Sequence, residues 1–139
     1  MNNLKRAENI LKSNDFTCVC CSDTETLTSN KRGVAPLLEW LDTGKNLHEF
    51  SVADKVIGKG ASFLYVLIGV REIYTDVISR PAIEILENND IPVTYGTLTE
   101  AIRNRDNTGF CPIETAVSGI TEPHQALVTI RETLKNLKK

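Results

Sequence analysis

Two apolar segments meet across a two-residue turn near the N-terminus, and each later strand-like run is separated from the next by a helical one. Phe16 to Cys21 places Phe16, Cys18 and Cys20 on one face at a period of two, which predicts a strand. Ser22-Asp23 is turn chemistry, so Thr24 to Thr28 is the expected hairpin partner. Upstream, Leu4, Ala7, Ile10 and Leu11 follow helical spacing until Asn14-Asp15. Downstream, Val34, Leu37, Leu38 and Leu41 mark a second helix, with Pro36 in its first turn and Gly44 past its end. Glu72 to Ile78 and Ile91 to Tyr95 read as strands, and Arg80 to Glu87 between them reads as a helix with Pro81 near its start. The last helix is predicted over Glu122 to Leu137, burying Ala126, Leu127, Ile130, Leu134 and Leu137. A strand pair followed by strands alternating with helices predicts an α/β fold: a three-layer α/β/α sandwich, with a mixed sheet and helices on both faces.

The centre of the chain carries the most unusual pattern. Val52 to Ile68 reads as one helix capped by Ser51, with Val56, Gly60, Phe63, Leu64 and Leu67 on its buried face. Gly58 and Gly60 would each cost that helix about 1 kcal/mol relative to Ala. Two of them together imply close packing or a ligand near the backbone. Lys55, Lys59 and Ser62 would share one line of the helix. Thr97-Leu98-Thr99-Glu100 has capping-box spacing and predicts a short helix to about Arg103. Asn104 to Pro112 reads as a polar loop.

Length and composition narrow the function classes. At 139 residues the chain is one domain, residues 1–139, and it contains no internal repeat or linker-like stretch. Sixteen basic against eighteen acidic residues leave a net charge of −2, which excludes binding of nucleic acid by bulk charge. No apolar run approaches the roughly 18 residues of a membrane span, and the N-terminus does not read as a signal peptide. Four cysteines, three of them crowded into Cys18 to Cys21 where mutual bridging is difficult, and two histidines without H-x-x-x-H spacing argue against both a disulfide framework and a zinc site, so a reduced, cytoplasmic setting is expected.

The order of elements resembles the cytidine deaminase-like fold. Two stretches sharpen the likeness: VADKVIGKGAS at Val52 to Ser62 and NRDNTGFCPIE at Asn104 to Glu114 resemble domain-of-unknown-function family 1893, a group of uncharacterised bacterial proteins placed in that superfamily. The likeness runs from about Phe16 to Ile130 and implies a fold rather than a reaction. Zinc deaminases use H-x-E followed by P-C-x-x-C, in which His and two Cys hold the metal and Glu moves protons. Here the first motif falls on Val52-Ala53-Asp54 and the second on Pro81-Ala82-Ile83-Glu84-Ile85. Val52, Ala82 and Ile85 have no lone pair to offer zinc, so no metal and no other cofactor is expected. Self-association is common in the superfamily, which makes a homodimer the expected assembly.

Each candidate residue has two readings. Asp54 either replaces the proton-shuttling Glu or complements a helix dipole. Lys55 and Lys59 either bind an anionic ligand or are solvated. Cys111, flanked by Arg103 and Arg105, is either a nucleophile favoured by their positive charge or a small residue closing a loop. Asn104 and Arg105 either grip a phosphate or carboxylate, with Glu114 nearby, or hold the loop together. GKGAS at Gly58 to Ser62 lacks the spacing of a phosphate-binding loop. Together these residues point to a small-molecule-binding domain or a non-zinc enzyme, with Cys111 and Asp54 as its catalytic candidates. Lys55, Lys59, Asn104, Arg105 and Glu114 would bind a polar, anionic or nucleotide-like ligand. The alternative is a non-catalytic regulatory or protein-interaction module.

Overall fold

In the computed structural model, which describes residues 2–102 and 111–137, the elements run α1 (Asn3–Ser13), β1 (Cys18–Cys21), β2 (Thr26–Ser29), α2 (Ala35–Thr43), β3 (Ser51–Ile57), α3 (Lys59–Ile68), β4 (Glu72–Ser79), α4 (Arg80–Asn88), β5 (Val93–Thr99), α5 (Pro112–Val117) and α6 (Pro123–Leu137). The five strands form one mixed sheet in the order β2-β1-β3-β4-β5. β1 pairs antiparallel with both β2 and β3, whereas β3, β4 and β5 are parallel. A two-strand hairpin therefore supplies one side of the sheet, and helix-linked strands supply the other.

Local chemistry explains the helix ends. Asn2 caps α1 by accepting the Lys5 N–H at 2.7 Å. Gly44 ends α2 and Gly69 ends α3, each in the left-handed conformation that glycine tolerates. Ser79 caps α4, with Pro81 in the first turn where its missing N–H costs nothing. One face of the sheet, through Val19, Cys21, Ala53 and Tyr74, packs on Ala7 and Leu11 of α1. The larger core lies on the other face, where Cys18, Cys20, Val52, Ile73 and Ile78 meet Phe63, Leu64 and Tyr65 of α3 and residues of the remaining helices.

The structure corrects the central reading. Val52 to Ile68 is not one helix: Ser51–Ile57 is a strand and α3 starts only at Lys59. Ser51 to Asp54 are buried in succession, because β3 has strand neighbours on both edges and packing on both faces. Such a strand loses the alternation by which strands are recognised. Ser51 caps no helix; its hydroxyl donates to the Glu72 carboxylate at 2.5 Å. Val56 is 47% exposed rather than core.

Smaller differences follow the same logic. Thr97 to Thr99 are not a helix cap but the end of β5, paired with Val77 to Ser79. The hairpin partner starts at Thr26, because Ser22 Oγ accepts the N–H groups of Thr24 and Glu25 and so lengthens the turn. Phe16 precedes β1 and packs with the α1 side, opposite to Cys18 and Cys20. Leu137, at the end of α6, is 57% exposed. Helix α5 forms where a polar loop was expected to end, at Pro112, and is only six residues long.

Candidate functional site

The first turn of α3 is built from glycines and closed by a carboxylate. Gly58 leaves β3 in an extended conformation and offers no side chain to cap the helix. Glu114, in the first turn of α5, takes that role from 54 to 55 residues away: Oε1 accepts the Lys59 N–H at 2.6 Å and Oε2 accepts the Gly60 N–H at 2.9 Å. A negative group over the free N–H groups of a helix start is favourable both as a hydrogen-bond acceptor and against the helix dipole. The glycines are the condition for this contact. A Cβ on Gly58 would stand 2.3 Å from Glu114 Oε1, and one on Gly60 would stand 2.7 Å from Ile113 Cγ2. Of the two explanations that the glycine pair allowed, close packing by α5 is what the structure displays. Lys59 Nζ donates to the Ser118 carbonyl at 2.8 Å, tying the far end of α5 to the same helix start.

A second polar cluster lies inside the core. Asp54 on β3 is 8% exposed, and its Oδ2 accepts the Tyr65 hydroxyl at 2.6 Å. Tyr65, fully buried on α3, also lies 3.4 Å from the Cys18 thiol, and Cys18 is the direct partner of Asp54 in the β1–β3 register. Because the one phenolic proton goes to Asp54, the thiol donates to the phenolic oxygen. Loss of water pushes the Asp54 carboxyl up to about 7; the Tyr65 hydroxyl and the N–H groups of Val56 and Lys55 oppose that rise. Burial and the Asp54 charge push the Tyr65 phenol up. Hydrogen bonding with Cys20, burial and the Asp54 charge push the Cys18 thiol up, away from the thiolate form that reacts.

The remaining candidates divide plainly. Lys55 is exposed on β3. Cys111 is half-buried against the core directly before α5, where its N–H donates to the Ile102 carbonyl at 3.1 Å and its carbonyl accepts the Thr115 N–H at 3.0 Å. Asn104 and Arg105, with Arg103, lie outside the described residues. Lys59 and Glu114 therefore meet, Asp54 belongs to a separate buried cluster, and Cys111 precedes the helix that carries Glu114. Tyr65 was not identified from sequence. In the single helix read there, Asp54 and Tyr65 would stand about 16 Å apart along the axis; the turn at Gly58 folds them together.

Among the described residues no three His, Cys, Asp or Glu side chains are arranged to hold a metal. Shallow clefts of about 180 and 290 Å³ flank Trp40 on α2, and none of the candidate residues lines either of them. No helix among the described residues is long and apolar enough to cross a membrane.

Comparison with known proteins places this architecture. The family model described as TM1506, domain of unknown function (DUF1893), matches residues 6–134. The chain belongs to the DUF1893 family. A crystal structure of the DUF1893 family protein TM1506 from Thermotoga maritima is similar to it at a TM-score of 0.84 and 25% sequence identity, covering 98% of this chain and 91% of that one. This DUF1893 chain thus shares its fold with the bacterial relative over nearly all of its length. No match was found among curated proteins.

Proposed function

We propose that this DUF1893 protein is a small-molecule-binding domain with the cytidine deaminase-like three-layer fold, working without zinc. The fold assignment is supported by the strand order β2-β1-β3-β4-β5 and by α3 and α4 each beginning directly after a parallel strand. In such sheets ligands are taken at the carboxyl ends of the strands. On this reading, with α3 starting at Lys59 and α4 at Arg80, the H-x-E position would correspond to Lys59, Gly60 and Ala61 rather than to Val52, Ala53 and Asp54, and the P-C-x-x-C position to Pro81 to Ile85. Neither turn supplies an imidazole or a thiolate, so zinc does not fit the residues present.

One observation carries the binding reading: the α3 start already holds a carboxylate, through two backbone N–H bonds to Glu114. The same donors suit the acid group of a polar, anionic ligand, a nucleotide-like one included, with Lys59 beside them; Asn104 and Arg105, the other proposed ligand-binding residues, lie outside the described residues. Catalysis has less support, since Asp54 is closed in behind Tyr65 and Cys111 is partly packed into the core. Those two features favour the non-catalytic form of this reading.

The test is thermal denaturation of the wild type and of Glu114→Ala with inorganic phosphate, nucleoside monophosphates and small dicarboxylates. A ligand at 100 times its Kd adds about 2.7 kcal/mol. The reading expects a shift that is larger in Glu114→Ala, where the internal competitor is gone. Equal shifts in both proteins, or none in either, would reject it.

A further inference from the structure

We propose that the buried Asp54–Tyr65–Cys18 cluster is a proton-operated latch that ties β3 to α3. The cluster joins three elements: Asp54 on β3, Tyr65 on α3 and Cys18 on β1. The Tyr65 hydroxyl, 2.6 Å from Asp54 Oδ2 and 3.4 Å from the Cys18 thiol, links α3 to the sheet through polar atoms, within packing that is otherwise dominated by apolar side chains among the described residues. The titratable and charged groups around Asp54 are Tyr65 on α3, Cys18 and Cys20 on β1, and Asp76 on β4. None of these is a cation. The adjacent Lys55 is exposed, and no ion pair reaches Asp54 among the described residues.

The physical consequence runs one way. A neutral carboxyl is at home in this core, while a carboxylate is desolvated with one phenol and two backbone N–H groups to hold it. Opening β3 from α3 returns water to the group, so the open form prefers the ionised state. The closed form keeps its proton up to about pH 7, whereas an open form with water around Asp54 loses it near the ordinary value of 3.8. Between those limits the open population rises with pH by up to tenfold per unit, and above them it levels off. The latch is shut in acid and loosened at neutral and higher pH. It governs the same β3–α3 turn on which the Glu114 contact is built, yet it does not depend on a ligand at that turn.

Hydrogen exchange of the full-length protein from pH 5 to 8 tests this, with amide rates corrected for their intrinsic pH dependence. Protection of the β3 and α3 amides should fall as pH rises from 5 to 7 and then become flat, while α1 protection changes less. Asp54→Asn should abolish the pH dependence. Tyr65→Phe removes one donor that favours the carboxylate, so it should move the fall to higher pH. A wild type whose corrected protection does not change with pH, or an Asp54→Asn variant that keeps the wild-type slope, would overturn the latch. If Asp54→Asn does not fold, Tyr65→Phe decides: an unmoved midpoint overturns it.

Discussion

Asp54 and Glu114 are two carboxylates on either side of one turn, and the fold treats them in opposite ways. Glu114 comes from a distant helix to meet two backbone N–H groups that have no other partner within α3. Asp54 belongs to the strand itself and is shut into the core against a phenol, where loss of water dominates. The first is an acid group used as a missing helix cap; the second is an acid group made sensitive to protons. What separates them is the solvation available to each, not residue type.

The largest expected effect lies on the Asp54 side. Tyr65→Ala deletes a fully buried aromatic side chain together with the hydroxyl, and should destabilise the fold by about 3–5 kcal/mol in chemical denaturation. Tyr65→Phe keeps the ring and should cost about 1–3 kcal/mol at pH 8, where the wild-type Asp54 carboxylate is held by the phenol and the variant has lost that donor. A cost for Tyr65→Phe near zero at that pH would mean that the hydroxyl contributes no net stability there.

Proton linkage gives the next effect, and its sign is fixed by the raised value. The folded state binds the Asp54 proton up to about pH 7 and the unfolded state only up to about 3.8. The stabilisation is therefore complete below the lower value and lost as pH rises through the higher one. The unfolding free energy of the wild type in urea should lose the Asp54 contribution with rising pH inside that window, by at most about 1.4 kcal/mol per pH unit, and Asp54→Asn should remove that component of the profile.

On the Glu114 side the effects are smaller. Glu114→Ala should lower stability by about 1–2 kcal/mol, the range of a lost helix cap. Gly58→Ala should be costly in the wild type, because its Cβ would displace the Glu114 carboxylate, and cheaper when Glu114 is already Ala. Double-mutant analysis measures that coupling, and additive costs would show that the two positions do not touch in solution. The smallest change expected is for Lys59→Met, which loses the bond to the Ser118 carbonyl and should cost at most about 1 kcal/mol.

The same contrast explains what the sequence could disclose. Helices α1, α2, α4 and α6 were readable because each has a wet side, so apolar residues recur with the helical period, whereas the hairpin was readable from its Ser22-Asp23 turn although β1 is buried throughout. β3 has no wet side over Ser51 to Asp54, and its apolar run merged with that of α3 into one apparent helix. That error hid Tyr65, since Asp54 and Tyr65 become neighbours only when the chain reverses at Gly58. The glycine pair did announce an unusual approach at this point, but nothing local could name Glu114 as the approaching group. Its helix, α5, has six residues, too few for a periodic signal.

The difference between the two carboxylates can be read most directly from the side-chain carboxyl carbon of Asp54, followed by nuclear magnetic resonance as pH is raised. A buried carboxyl held by Tyr65 should titrate with a midpoint of about 7. A midpoint near 3.8 would show that water reaches Asp54 in the folded protein, and would contradict both the closed cluster and the latch built on it.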